Sequence, residues 1–185
     1  AARRFQALAL ARRAVQIDPL DDVAQGRLGL VLWVVGRDAE AISAFRRALD
    51  LNPALPMHHA DLGLFLCLMG RCDEGIGHAR AALDGNPDPP PWFHAAPVIH
   101  ALLAGRPDDA FARAHLLVES SDDNNCGYLV AAAGLADRPV DMPRCVKALA
   151  KAADRFGDPI AGLRFWLRDP SLLDTIDRGL TLHGT

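Results

Sequence analysis

The stretch Ala48-Leu49-Asp50-Leu51-Asn52-Pro53 recurs 34 residues upstream as Ala14-Val15-Gln16-Ile17-Asp18-Pro19 and 34 residues downstream as Ala82-Leu83-Asp84-Gly85-Asn86-Pro87. A fixed period of this length predicts stacked helix pairs, each burying its apolar face against its neighbours. With the three prolines superimposed, Leu28-Gly29 falls over Leu62-Gly63, Gly36-Arg37 over Gly70-Arg71, Ala41 over Gly75, Phe45 over Ala79 and Ala48 over Ala82.

Each landmark has a physical reading. Gly29 and Gly63 sit inside predicted helices, where glycine costs about 1 kcal/mol relative to alanine, so a close helix-helix approach is expected there. Gly36, Gly70 and Gly105 each end an apolar run and precede an arginine, as a left-handed residue closing a helix does. Asp38, Asp73 and Asp108 follow at the next helix start, where a side-chain oxygen is expected to cap free N–H groups.

Beyond Pro87 the pattern loosens. Pro89-Pro90-Pro91 adds one residue to the period, and a third pair runs from Trp92 to Ala104 and from Ala110 to Glu119 across Gly105-Arg106-Pro107-Asp108. The turn Asp137-Arg138-Pro139 divides a fourth, with helices over about Asn125 to Ala136 and about Met142 to Phe156. At the other end, Arg3 to Asp18 reads as the second helix of a unit whose first is missing, which predicts a piece of a longer array. The expected layout is a single domain over 1–185: an incomplete unit at 1–19, helix pairs at 22–53, 56–87, 91–122 and 125–156, and a C-terminal capping segment at 158–185. Within that segment Asp169-Pro170 reads as an N-cap and first helical residue. Leu172, Leu173, Ile176 and Leu180 share one side of the helix that follows, so it is expected to pack over the last helices or back into the groove.

These landmarks resemble the tetratricopeptide repeat family, whose 34-residue helix-turn-helix unit carries a Leu-Gly pair in its first helix. In the second helix that unit has a small residue, an aromatic or apolar one, then Ala before a closing Pro. The resemblance is strongest over Asp22 to Pro53. It implies an all-α fold, a right-handed superhelix of stacked antiparallel helix pairs, with first helices lining an inner groove through repeat positions 2, 5, 9, 12 and 13. Carried over, those positions are Val23, Gly26, Leu30, Trp33 and Val34; Met57, Ala60, Leu64, Cys67 and Leu68; and Trp92, Ala95, Ile99, Leu102 and Leu103. The candidate partner-binding residues are Val23, Leu30, Trp33, Val34, Met57, Leu64, Leu68, Trp92, Ile99 and Leu103; Leu30, Leu64 and Ile99 are read equally well as packing between helices. Family members that grip acidic chaperone tails use Lys, Asn, Asn, Lys and Arg at groove positions that here hold Gly26, Leu30, Asp61, Trp92 and Ala96, so such a clamp is not expected.

A weaker resemblance links the run Asn86 to Phe93, the stretch Leu103 to Arg106 and the ending Arg168-Asp169-Pro170-Ser171-Leu172 with Arg178-Gly179-Leu180 to the C-terminal repeats of bacterial multidomain regulators. Those include class III nucleotide cyclases and one-component transcriptional activators. It implies an alternative role: a regulatory domain acting within its own polypeptide.

Composition bounds the rest. Half of the 185 residues are apolar, few are aromatic, and the formal charge is −3, without the basic excess of a nucleic-acid binder. No apolar run reaches the roughly 18 residues of a membrane helix and no signal pattern opens the chain, so a soluble, cytoplasmic protein is expected, with no membrane or nucleic-acid partner. Arg12-Arg13, Arg46-Arg47 and Arg80 recur at one repeat position and read as a solvated outer face. Cys67, Cys72, Cys126 and Cys145 lack Cys-x-x-Cys spacing and read as unpaired small fillers in a reducing compartment.

No phosphate-binding loop, zinc-protease motif or nucleophile elbow is present, so neither catalysis nor a cofactor is expected. His59 and His94 share a repeat position beside His58 and read as structural rather than as a zinc site, which needs three or four ligands. The acid pairs Asp21-Asp22, Asp108-Asp109 and Asp122-Asp123 suit helix starts better than acid-base catalysis. The expected function is thus a non-enzymatic scaffold that binds an apolar or helical protein segment in the groove, with the oligomeric state left open.

Overall fold

The computed structural model describes residues 2–119, 123–140 and 142–183; Asp122 of the third acid pair and the limits at 1, 122 and 185 lie outside them. The described residues form eleven α-helices and no strand: α1 (Ala2–Ile17), α2 (Asp22–Val34), α3 (Asp38–Leu51), α4 (Pro56–Leu68), α5 (Cys72–Asp84), α6 (Ala95–Leu103), α7 (Pro107–Leu117), α8 (Cys126–Leu135), α9 (Pro143–Phe156), α10 (Ala161–Trp166) and α11 (Pro170–His183). Short 3-10 turns over Pro91–His94 and Asp123–Asn125 lead into α6 and α8. Consecutive helices from α1 to α9 pack as neighbours.

One turn design separates the helices of each pair. Gly36, Gly70, Gly105 and Asp137 all take positive φ, at 79°, 82°, 65° and 52°. Behind each, the following arginine N–H reaches back to a carbonyl five residues earlier: Arg37 to Leu32 at 2.9 Å, Arg71 to Leu66 at 2.8 Å, Arg106 to Ala101 at 2.9 Å and Arg138 to Ala133 at 2.9 Å. This Schellman pattern satisfies carbonyls that a helix end leaves open. Asp137 fills glycine's place because a short polar side chain tolerates the left-handed region better than most.

The capping expectation needs correction. The N-cap positions before α3, α5 and α7 are Arg37, Arg71 and Arg106, none of which makes a side-chain cap. Asp38, Asp73 and Asp108 stand one or two residues later, in the first turn, where they favour the positive end of the helix dipole without capping it. Asp21 does cap, accepting from the Ala24 N–H at 2.9 Å.

The mid-helix glycines mark close crossings. A Cβ on Gly63 would lie 2.8 Å from the Ala79 nitrogen and 2.9 Å from the Gly75 oxygen; one on Gly29 would meet the Phe45 ring at 2.8 Å. Around these crossings Trp33, Phe45 and Phe65 form the aromatic centre of the core, with ring centroids 5.0 Å apart for Trp33 and Phe65 and 4.6 Å for the stacked Phe45 and Phe65.

The cysteines also depart from expectation. Cys67 bonds to Cys72 across the α4–α5 turn, and Cys126 bonds to Cys145 between α8 and α9. Unpaired thiols were expected from the absence of a Cys-x-x-Cys motif, but pairing needs only spatial proximity, which the helix hairpins provide.

The C-terminal segment folds back onto the pairs. α11 starts at Pro170, with the Ser171 N–H bonded to the Asp169 carboxylate at 3.0 Å. It buries Leu172, Ile176 and Leu180 along α8 and also touches α6. Before it, the Arg168 and Asp169 N–H groups donate to the Leu68 carbonyl at 2.9 and 3.2 Å, placing the chain across the end of α4. The Arg168 guanidinium reaches the Asp38 carboxylate at 3.1 Å and the Trp33 carbonyl at 3.1 Å, and lies 4.7 Å over the Trp33 ring. Arg164 then ties α10 to α11, donating to Asp158 at 2.8 Å and Asp177 at 2.9 Å.

Candidate binding groove

α2, α4, the turn leading to α6 and α6 itself carry the side chains predicted to line a groove, and they divide by burial. Val23 and Met57 are 52% and 41% exposed. Leu30, Val34, Leu64, Trp92 and Leu103 are half-buried. Trp33, Leu68 and Ile99 are buried, at 0%, 3% and 0% exposure. Trp33 and Ile99 therefore offer no surface to a ligand: Arg168 covers the Trp33 ring, and Ile99 belongs to the core. Val34 lines a separate hollow with Arg4, Phe5, Gly36, Phe165 and Arg168.

Leu103 packs against the core and lines neither of the two cavities in which the remaining predicted residues converge. Leu30, Leu64, Leu68 and Trp92 line a cavity of about 310 Å³ together with Asp61, Phe65, Ala95, Asn125, Tyr128, Leu163 and Trp166. A second cavity of about 330 Å³ adjoins it, lined by Val23, Leu30, Met57, Trp92, Leu55, His58, Asp61 and Arg27. Leu30, Asp61 and Trp92 belong to both. Their combined size falls within the range of ordinary ligand sites.

The contribution of α10 was not foreseen from the sequence, whereas Asp61 already stood at a groove position there. Leu163 and Trp166 come from α10, which closes one side of the first cavity; the Trp166 ring stands 6.4 Å from that of Phe65. Nothing in the 34-residue period places α10 there. Asp61 did leave a signal, because it is the one acidic residue in the run Pro56–Leu68, beside groove position Ala60. Burial pushes its carboxyl up to about 6, against the pull of His58 and Arg27. Burial also raises the Tyr128 hydroxyl above its ordinary range.

His59 and His94, which share a repeat position, do not meet. His58 is buried and its Nε2 meets the Asp22 carboxylate at 2.6 Å, which also accepts from Asn52 Nδ2 at 3.1 Å. These bonds, the one to His58 first, hold Asp22 below its ordinary value. His59 faces His78 of α5 at 3.1 Å rather than His94. Burial, then the His59 ring, lowers His78; burial, then Arg113, lowers His94. Among the described residues no three His, Cys, Asp or Glu side chains converge as a metal site requires. On the outer surface Arg12 of α1 pairs with Glu40 of α3 and, one period later, Arg46 of α3 pairs with Glu74 of α5, so these arginines bridge the second helices of successive pairs.

No described helix is long and apolar enough to cross a membrane. In comparisons with known proteins, the sequence matches no family model and no curated protein.

Proposed function

We propose that the chain is a non-enzymatic protein-interaction scaffold of the tetratricopeptide type, its helix pairs stacked in a right-handed superhelix, and that it holds an apolar or helical protein segment against α2, α4 and α10. The observation that carries this reading is the pair of adjoining cavities, in which Leu30, Leu64 and Trp92 supply apolar walls and the exposed Val23 and Met57 form the mouth. Apolar side chains left at the rim of a concave site are what a helix-in-groove contact uses. Half-buried Trp92, shared by both cavities, is the expected anchor, since large aromatics in desolvated pockets dominate such interfaces.

A second reading is favoured by α10. Because Leu163 and Trp166 of the same chain already occupy one wall, the C-terminal segment acts as a built-in regulator of access, as in a domain that works within its own polypeptide. The test is affinity for peptides selected from a displayed random library. Trp92→Ala is expected to weaken the selected peptides by about 2 kcal/mol, while Arg12→Ala on the outer face leaves them unchanged. Equal affinity for all three proteins would remove the groove from consideration.

A further inference from the structure

Among the described residues, Asp61 is the only charged one lining the 310 Å³ cavity. Its carboxylate is half-buried and makes neither hydrogen bond nor ion pair with a described residue. An unpartnered carboxylate among apolar side chains is costly, and neutral Asn or Leu would fill the same place without that cost. Around it stand Phe65, Trp92, Tyr128 and Trp166, of which Trp92 and Trp166 retain exposed surface. Aromatic rings beside a carboxylate are complementary to an organic cation, tryptophan being the strongest partner among the rings.

We propose that this cavity receives a lysine side chain of the segment held in the groove, its ammonium group meeting Asp61 and its alkyl stem lying among Trp92, Trp166 and Phe65. The proposal rests on the groove reading above. The alkyl stem suits the apolar walls, and the ammonium supplies the donor that Asp61 lacks. The neighbouring cavity explains why the ligand is a chain rather than a free amine: Leu55, Met57 and Val23 give it an apolar side, next to exposed Arg27, that takes the residues flanking the lysine. Two charged groups face Asp61 from the neighbouring cavity, which it also lines: Arg27 of α2 and His58 of α4 both favour its ionised form, but neither bonds to it, and His58 is engaged by Asp22. Since the Asp61 carboxyl is raised to about 6, it is ionised at neutral pH and loses its charge as pH falls, so affinity for a cation drops on acidification.

The test starts from peptides selected on the full chain at neutral pH from a displayed random library. Each lysine or arginine of the selected peptide is then replaced by norleucine, which keeps the stem and removes the charge. The expected result is one lysine whose replacement weakens binding about tenfold in the wild type and not at all in Asp61→Asn. The fall in affinity below pH about 6 is expected to vanish in the same variant. Trp166→Leu, which leaves Asp61 in place, is expected to weaken the lysine peptide more than its norleucine counterpart. Circular dichroism and melting of both variants control for folding. Peptides that bind equally with lysine or norleucine overturn the cation pocket and leave the groove reading standing. If no peptide is selected but n-butylammonium alters tryptophan fluorescence only when Asp61 is present, the lysine source and the groove reading fall together. Absence of either response overturns both.

Discussion

The crossing of α4 with α5 and the crossing of α8 with α11 use the same device at opposite ends of legibility. In the first, Gly63 faces Gly75 and Ala79, and a Cβ on Gly75 would lie 2.5 Å from the Gly63 oxygen. In the second, a Cβ on Gly134 would overlap the Gly179 carbonyl oxygen, and one on Gly179 would overlap that of Ala131. Both bring main chain against main chain because a side chain is missing on each helix. The first joins helices separated by a short turn, and Gly63 shares its register with Gly29. The second joins helices with α9 and α10 between them, and no period announces it. Close packing is thus a property of the contact, while its visibility depends on whether the contact repeats.

The largest effect that would break this comparison is at the second crossing. Gly134→Ala or Gly179→Ala is expected to cost about 3 kcal/mol and to strip hydrogen-exchange protection from 170–183, because a carbonyl oxygen cannot rotate away as a side chain can. Gly29→Ala, whose nearest contacts are all with the Phe45 ring, is expected to cost about 1 to 2 kcal/mol. If Gly179→Ala melts with the wild type, α11 does not sit on α8 as described.

The disulfides divide along the same line. Cys126 and Cys145 are 19 residues apart in sequence and Cys67 and Cys72 only 5. Closing the longer loop removes more freedom from the unfolded chain, so replacing both Cys126 and Cys145 with alanine is expected to cost about 3 kcal/mol, and replacing Cys67 and Cys72 less. Thiol titration of the denatured, unreduced protein checks the pairing first: four reactive thiols would remove it.

Arg168 joins the two ends. Its guanidinium holds Asp38, the Trp33 carbonyl and the Trp33 ring together, so Arg168→Ala is expected to cost about 2 kcal/mol. Arg168→Lys recovers little, because an ammonium cannot cover the ring and bond both oxygens at once. Full recovery by lysine in thermal melts would reduce the interaction to simple charge.

The smallest effect has the opposite sign. Asp61 is raised from an ordinary value of 3.8 to about 6, so the folded protein prefers its protonated form. Its contribution is most favourable below pH about 4, declines as pH rises through about 6 and stays low above that. Asp61→Asn is therefore expected to stabilise the free protein at neutral pH by about 1 kcal/mol, about a third of the full conversion of the shift because solvent screens the partly exposed carboxyl, and by nothing at pH about 4. Stabilisation equal at both pH values would show that the carboxylate is not responsible.

The amino-acid sequence alone determined what is local or periodic. Gly36, Gly70 and Gly105 mark the turns because a left-handed residue after an apolar run has few chemical solutions, and Asp137-Arg138-Pro139 marks the fourth by analogy with Gly105-Arg106-Pro107. Pro170 and the Leu172, Ile176 and Leu180 stripe defined α11, since an amphipathic helix carries its own pattern. Tertiary structure alone decided where that helix goes and what the groove contains. Arg168 and Asp38 lie 130 residues apart, Trp166 reaches the Phe65 ring from outside the repeat, and Trp33, expected to face a ligand, is sealed beneath Arg168. These contacts depend on how the end of the chain folds back over its first pairs. Helical periodicity reports which side of a helix is apolar but cannot tell a solvent-facing apolar wall from one covered by a distant part of the same chain.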